Sequence, residues 1–325
     1  MDKVSFTWEN IEEYLNIPID YRFVDLADVI PGVEGWGRKI VSSQDWYFRI
    51  HFPGNPVMPG VLVMETMRQT GLLVVNALHN ESVKEMVFVG CSKMKMFNSV
   101  RPGDILNTHV IVEDYSQGIT SFHGEVKISR HGEEKELLAC SMNFKMQEEK
   151  ELQKRIIPKV RFPEFSAIDM RVFDYSNFDS YLADPQEYRF IDRAMVSSNV
   201  GIAEKYSSSI DWYYRYKKLY MLFGFLMESI MQTGVLVVTQ SEKIGNPLMM
   251  FNDCEMLEIF KAVRPGDVLK THVVLKSFRN GVAKYEGIAA VGEEKVCEIR
   301  FTLIHPDEIR KFSERLMERR TSAVC

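Results

Sequence analysis

His51 stands in a run too rich in proline and glycine to be helix or strand, His51-Phe-Pro-Gly-Asn-Pro-Val-Met-Pro-Gly60. An apolar stretch follows, Val61-Leu-Val-Met-Glu65-Thr-Met-Arg-Gln69, with its one carboxylate 14 residues beyond the histidine. Proline near a first helical turn is a start signal, so Pro59-Gly60 marks the entry to a helix. The amides of Gly60 and Val61 are then unpaired donors at the positive end of the helix dipole. Such an end can hold a carbonyl oxygen that turns negative during reaction, and glycine lets a ligand come close. A neutral histidine is suited to moving a proton at neutral pH. A carboxylic acid half-sunk in an apolar helix has a raised pKa and can donate one. This set suits proton abstraction beside a carbonyl, with acid assistance to a leaving group.

The second half of the chain repeats these surroundings without the histidine. Residues 6–15 match 173–182, and Tyr21-Arg-Phe-Val-Asp25 returns as Tyr188-Arg-Phe-Ile-Asp192, both 167 residues on. Asp45-Trp-Tyr47 returns as Asp211-Trp-Tyr213, 166 residues on. Gln69-Thr-Gly71 and Val100-Arg-Pro-Gly-Asp104 return as Gln232-Thr-Gly234 and Val263-Arg-Pro-Gly-Asp267 at a spacing of 163. The spacing shrinks by three between Asp45 and Glu65, so the second copy lacks residues where its histidine loop belongs. Glu228 and Gln232 still match Glu65 and Gln69, whereas Tyr213 to Gly224 holds no histidine and no Pro-Gly.

The elements that must position these residues are the same in each copy. A short N-terminal helix and a loop precede a long apolar helix, expected over 61–78 and 225–240. Alternating, β-branched segments predict strands at 108–113, 119–129 and 136–146, with Gly118 and Gly132 as turns. Asn280-Gly281 is a hairpin turn signal in the second copy. The charged run 147–155, followed by Pro158 and Pro163, reads as a linker or linker helix. Each copy is therefore α+β, one helix with an antiparallel sheet to wrap it. The expected domains are 1–150 and 167–325, joined by 151–166.

Composition narrows the function classes. The chain has 325 residues, 46% hydrophobic and 26% charged, which is globular rather than disordered. A net charge of -5 speaks against a nucleic-acid surface. No run reaches the roughly 18 consecutive apolar residues of a membrane span, and Met-Asp-Lys-Val-Ser-Phe has no secretion signal. Five scattered cysteines without a Cys-x-x-Cys pair read as reduced thiols, Cys91 and Cys254 among them as core. Seven histidines show no metal-ligand spacing. A cytoplasmic enzyme without metal or cofactor is expected. His109 and His272, in matching Thr-His-Val contexts, read as strand-face packing, and residues 310–320 as a solvated helix face.

The stretch from His51 to Leu62, with Glu65 and Gln69 behind it, resembles the active-site motif of the 3-hydroxyacyl-[acyl-carrier-protein] dehydratases of fatty acid synthesis. Arg101-Pro-Gly-Asp104 is similar to that family's strand entry. The resemblance is strong over 21–146 and traceable over 188–305. It implies a hotdog fold, here a tandem double hotdog forming a pseudo-dimer, with acyl carrier protein as the partner that brings the substrate. In the family each site takes its histidine from one hotdog and its acid from the other. Carried over, that pairs His51 with Glu228, places Gln232 on the same helix face, lets the Val57 carbonyl hold the His51 ring, and gives the thioester oxygen to Gly60 N–H. Glu65 and Gln69 become vestigial, with Lys217 or Lys218 as candidates to neutralise Glu65. The implied reaction is dehydration of a (3R)-3-hydroxyacyl thioester to the trans-2-enoyl product. A non-catalytic thioester-binding subunit and a hotdog thioesterase are the alternatives.

Overall fold

An apolar run with no polar face belongs inside a protein, and two such runs organise this one. The computed structural model describes residues 2–52, 54–78, 84–163, 170–214, 221–242, 247–308 and 310. The first half comprises β1 (Val4–Phe6), α1 (Ile11–Leu15), β2 (Leu26–Ile30), β3 (Glu34–Ile40), α2 (Gly60–Asn76), β4 (Met86–Met96), β5 (Ile105–Ser116), β6 (Ile119–Ser129), β7 (Leu137–Glu148) and α3 (Glu149–Leu152). The second half comprises β8 (Arg171–Phe173), β9 (Arg193–Val196), β10 (Val200–Tyr206), α4 (Phe223–Glu242), β11 (Met250–Ile259), β12 (Val268–Arg279), β13 (Val282–Val291) and β14 (Glu294–Ile304).

Every residue of α2 from Val61 to Asn76 is buried. Its polar groups are satisfied in place. Thr66 and Thr70 hydroxyls bond back to the Val63 and Thr66 carbonyls, and the Thr108 hydroxyl reaches Thr66 at 3.0 Å. Alternation along β5 and β6 turns one face to this helix and the other to solvent. Close approach is bought with glycine: a Cβ on Gly71 would meet Met146, Phe122 and Phe144 at 3.3 Å. The expected turns are present, with Gly118 (φ +73°), Gly132 (+87°) and the pair Asn280 (+51°) and Gly281 (+79°) in the left-handed region.

All the strands join one antiparallel sheet in the order β1-β2-β3-β5-β6-β7-β4-β11-β14-β13-β12-β10-β9-β8. The two halves meet where β4 pairs with β11, and the register there is self-complementary. Cys91 lies opposite Leu257 and Met94 opposite Cys254. Since Cys91 matches Cys254 and Met94 matches Leu257 in the repeat, the seam lies on a pseudo-twofold axis. A Cβ on Gly90 would collide with the Leu257 carbonyl across the seam, so this crossing requires glycine. The result is a double hotdog, two helices each wrapped by its own part of a shared sheet.

Two expectations need correction. The run 147–155 is not wholly linker, because Gln147 and Glu148 extend β7 and pair with Val87 and Met86. Strand pairing on both sides, with Val87 and Ile119 opposite Gln147, outweighs the local charge density that suggested a linker. The helices also start earlier than read, at Gly60 and Phe223. Residues 311–320 of the expected C-terminal helix lie outside the described residues.

Candidate functional site

The His51 loop is fixed at both ends by backbone hydrogen bonds. His51 N–H donates to Tyr47 C=O at 2.9 Å, Val57 N–H to His51 C=O at 3.0 Å, and Met58 N–H to Val100 C=O at 2.9 Å. The last of these ties the loop to the Arg101-Pro-Gly-Asp104 turn. There Asp104, 2% exposed, accepts Arg101 N–H at 2.7 Å and a two-pronged bond from Arg130 at 2.8 and 2.7 Å. The motif thus serves as a brace for the loop.

His51 Nδ1 lies 3.0 Å from the Val57 carbonyl oxygen. A carbonyl only accepts, so Nδ1 carries the proton and Nε2 presents a lone pair. Burial pulls the ring's pKa down to about 4, and the Val57 bond offsets only part of this. The ring is therefore neutral at pH 7. Its edge meets Tyr188, with the ring centroids 5.3 Å apart.

Tyr188 leads to the second half. Its hydroxyl donates to Glu228 Oε1 at 3.1 Å. Glu228 is buried on the second turn of α4, and its pKa is pushed up to about 8 by burial and by the Asp184 carboxyl, against the Tyr188 bond. Gln232, one turn on, is locked by donating to Tyr188 C=O and accepting from Phe190 N–H, both at 2.8 Å. His51, Glu228, Gln232 and Asp184 line one cavity of about 170 Å3. Gly60 opens α2 on its wall, with Pro59 as N-cap and no capping side chain. A Cβ there would stand 3.4 Å from the Phe251 ring. Met96, Met231, Met249 and Met250 give the cavity an apolar side, which suits an acyl chain.

Glu65 and Gln69 are elsewhere. Arg68 grips both Glu65 oxygens at 2.8 and 2.6 Å, and the Gln69 amide donates to Glu65 at 2.9 Å. Among the described residues, Arg68, three residues along the same helix, neutralises Glu65. Lys217 and Lys218 lie outside the described residues. His109, hydrogen-bonded to Glu34 and stacked on Trp36, and His272, stacked on Phe162, do not line the cavity. Cys91 and Cys254 are buried as free thiols.

Sequence reasoning missed Tyr188, Asp184 and Arg68. Tyr188 sits in the repeated Tyr-Arg-Phe segment. Asp184 was visible as an acid where the other copy has Ile17, and Arg68 as a cation where the other has Met231.

The chain is similar to known proteins in sequence and in fold. A family model described as a FabA-like domain matches residues 33–133. The chain is 42% identical over 106 residues to the 3-hydroxyacyl-[acyl-carrier-protein] dehydratase FabZ of Chloroflexus aggregans, covering 32% of this chain and 74% of that one. It is 37% identical over 138 residues to FabZ of Alkaliphilus metalliredigens, covering 42% and 90%. Among solved structures, the dehydratase domain of RzxB from Pseudomonas fluorescens superposes with a TM-score of 0.58 at 10% identity, over 83% of this chain and 94% of that one. A monomeric dehydratase domain from a trans AT polyketide synthase split module gives 0.56 at 12% identity, over 84% and 98%. The structural matches show the double-hotdog fold over most of the chain, and the family-model match lies within its first half. The chain belongs to the FabZ family of 3-hydroxyacyl-[acyl-carrier-protein] dehydratases.

Proposed function

We propose that the chain dehydrates (3R)-3-hydroxyacyl thioesters borne by acyl carrier protein, at one site that His51 and Glu228 form between the halves. The carrying observation is that a neutral histidine and a proton-bearing carboxyl from opposite halves line the same cavity. His51 Nε2 takes a proton from C2, and Gly60 N–H receives the charge that builds on the thioester oxygen. The C2–H electron pair forms the C2=C3 double bond as the C3–O bond breaks. Glu228 supplies the proton with which the hydroxyl leaves as water. The trans-2-enoyl thioester remains, with His51 protonated and Glu228 ionised. Val57 holds the His51 tautomer, and Gln232 fixes the Tyr188 segment that contacts Glu228.

On this reading residues 1–150 and 167–325 are the two hotdogs, 151–166 joins them, and the chain works in the cytoplasm. The buried free thiols at Cys91, Cys140, Cys254 and Cys297 favour a reducing compartment. A thioesterase would need an ionised carboxylate to activate water, and Glu228 with its pKa near 8 is protonated at neutral pH. A non-catalytic subunit would have no use for the braced His51 tautomer.

The test is turnover of 3-hydroxyacyl carrier-protein thioesters, with enoyl product, free acid and free thiol followed separately. His51→Ala and Glu228→Gln should each slow enoyl formation by about 10²–10⁴-fold. Release of free acid by the unaltered protein, or full activity of either variant, contradicts the assignment.

A further inference from the structure

One group on the cavity wall has no part in the steps above. Asp184 lies in the segment between Leu182 and Tyr188, partly buried, and faces the cavity beside Gln232 and Glu228. The first half has Ile17 at the matching position, so the repeat itself does not require an acid here. We propose that Asp184 is a positioning residue for proton donation, its carboxyl keeping Glu228 in the proton-bearing form through the neutral range. This rests on the assignment of Glu228 as the acid.

The surroundings favour it. Arg189, the nearest cation on the segment, directs its guanidinium to Asp179 at 2.5 Å and to the Asp184 backbone carbonyl at 3.2 Å. It draws on the Asp184 side chain only through space. From α4, Gln232 contributes an amide and Glu228 a second carboxyl. From its own segment Tyr188 bonds Glu228, and from across the cavity His51 is neutral. No full positive charge therefore sits between the carboxyls among the described residues. Two carboxyls lining one cavity resist ionising together, so the pair keeps a proton where a lone carboxylate would lose it. Burial raises Asp184 to about 7, and Asp184 in turn adds to the rise at Glu228. The consequence for turnover is direct. Once Glu228 has given up its proton, repulsion from Asp184 drives the pair to take one back.

The pH dependence of kcat/KM for 3-hydroxyacyl thioesters tests this with Asp184→Asn, Asp184→Ser, Asp184→Glu and Glu228→Gln. Either uncharged variant should move the alkaline limb down by roughly one unit. Its ratio of rates between pH 6.5 and pH 8.5 should then rise several-fold over the unaltered protein. Asp184→Glu, which restores a carboxyl, should bring the limb back. An alkaline limb that stays in place in both uncharged variants, whatever their absolute rates, leaves Asp184 a structural residue and overturns the proposal. Full activity of Glu228→Gln is a different failure, since it removes the acid on which the proposal depends.

Discussion

Glu65 and Glu228 occupy the same turn of the same helix in two copies of one fold, and their surroundings are opposite. Around Glu228 the residue three positions on is Met231, the opposing loop brings His51, and Gly60 leaves the cavity open beside Phe251. Around Glu65 the residue three positions on is Arg68, which holds both carboxylate oxygens. The position of Gly60 is taken there by Phe223, stacked on Phe88 with ring centroids 3.9 Å apart. What remains of that second cavity is about 50 Å3. The comparison teaches that a carboxyl at one turn of one helix can be left open to a cavity or locked by its neighbours. Around Glu65 the matching loop carries no histidine, Phe223 fills the space and the acid is fixed as an ion pair.

Transplanting the ion pair is the severest way to break the contrast. Met231→Arg puts the residue found at Arg68 three positions after Glu228, where its guanidinium can fork onto the carboxyl. A carboxylate held that way cannot donate a proton, so enoyl formation should fall at least about 100-fold. Met231→Leu, similar in bulk and uncharged, is the control and should stay within a few-fold. Equal losses in both variants would trace the effect to cavity shape, and charge would then not be what separates the halves.

How much of this the sequence disclosed follows the same division. The histidine loop, both glutamates and both long helices were legible because each is a local pattern, and the repeat fixed their partners. Strands β2, β3 and β4 were not. In Glu34-Gly-Trp-Gly-Arg-Lys-Ile40 the glycines face α2, where a Cβ at Gly35 would meet Val74 at 2.7 Å. Their reason is tertiary. In β4 the burial runs unbroken from Met86 to Cys91, because the strand lies on the central seam, and alternation is lost. Asp184 and Arg68 belong to no motif, and they become meaningful only when one copy is laid on the other. Arg68 stands a single turn from Glu65, and the repeat places Met231 at its match.

A milder intervention works on the Glu65 side. Arg68→Met removes the cation from a carboxylate that is 3% exposed and leaves it with the Gln69 amide. Breaking a buried pair from one side should cost about 3 kcal/mol in denaturant unfolding. The double variant Glu65→Gln with Arg68→Met removes both charges and should recover most of that loss. Dehydration should remain within about twofold in the double variant, because neither residue lines the His51 cavity. A large loss of activity there would mean that Glu65 still takes part in chemistry.

The smallest effect is a difference in sign between two Glu→Gln changes. Glu228 has its pKa raised from 4.5 to about 8, so the folded state holds a proton that the unfolded chain releases above pH 4.5. Its contribution to stability is full below that value and is lost as pH rises through about 8. Asp184, raised to about 7, acts in the same direction. His51, lowered from 6.5 to about 4, acts in the other: its contribution is present above 6.5 and lost as pH falls through 4. Between pH 6.5 and 8, then, the two carboxyls govern what these three groups contribute. Glu228→Gln cannot ionise and should gain about 1–3 kcal/mol over the unaltered protein at pH 8.5, with no gain at pH 4.5. Glu65→Gln removes the carboxylate that both prongs of Arg68 hold and should lose stability at pH 8.5. Chemical unfolding at the two pH values reads both. If Glu228→Gln were no more stable at pH 8.5 than at pH 4.5 relative to the unaltered chain, Glu228 would not hold its proton in the folded state, and the two glutamates would differ only in their neighbours' shapes.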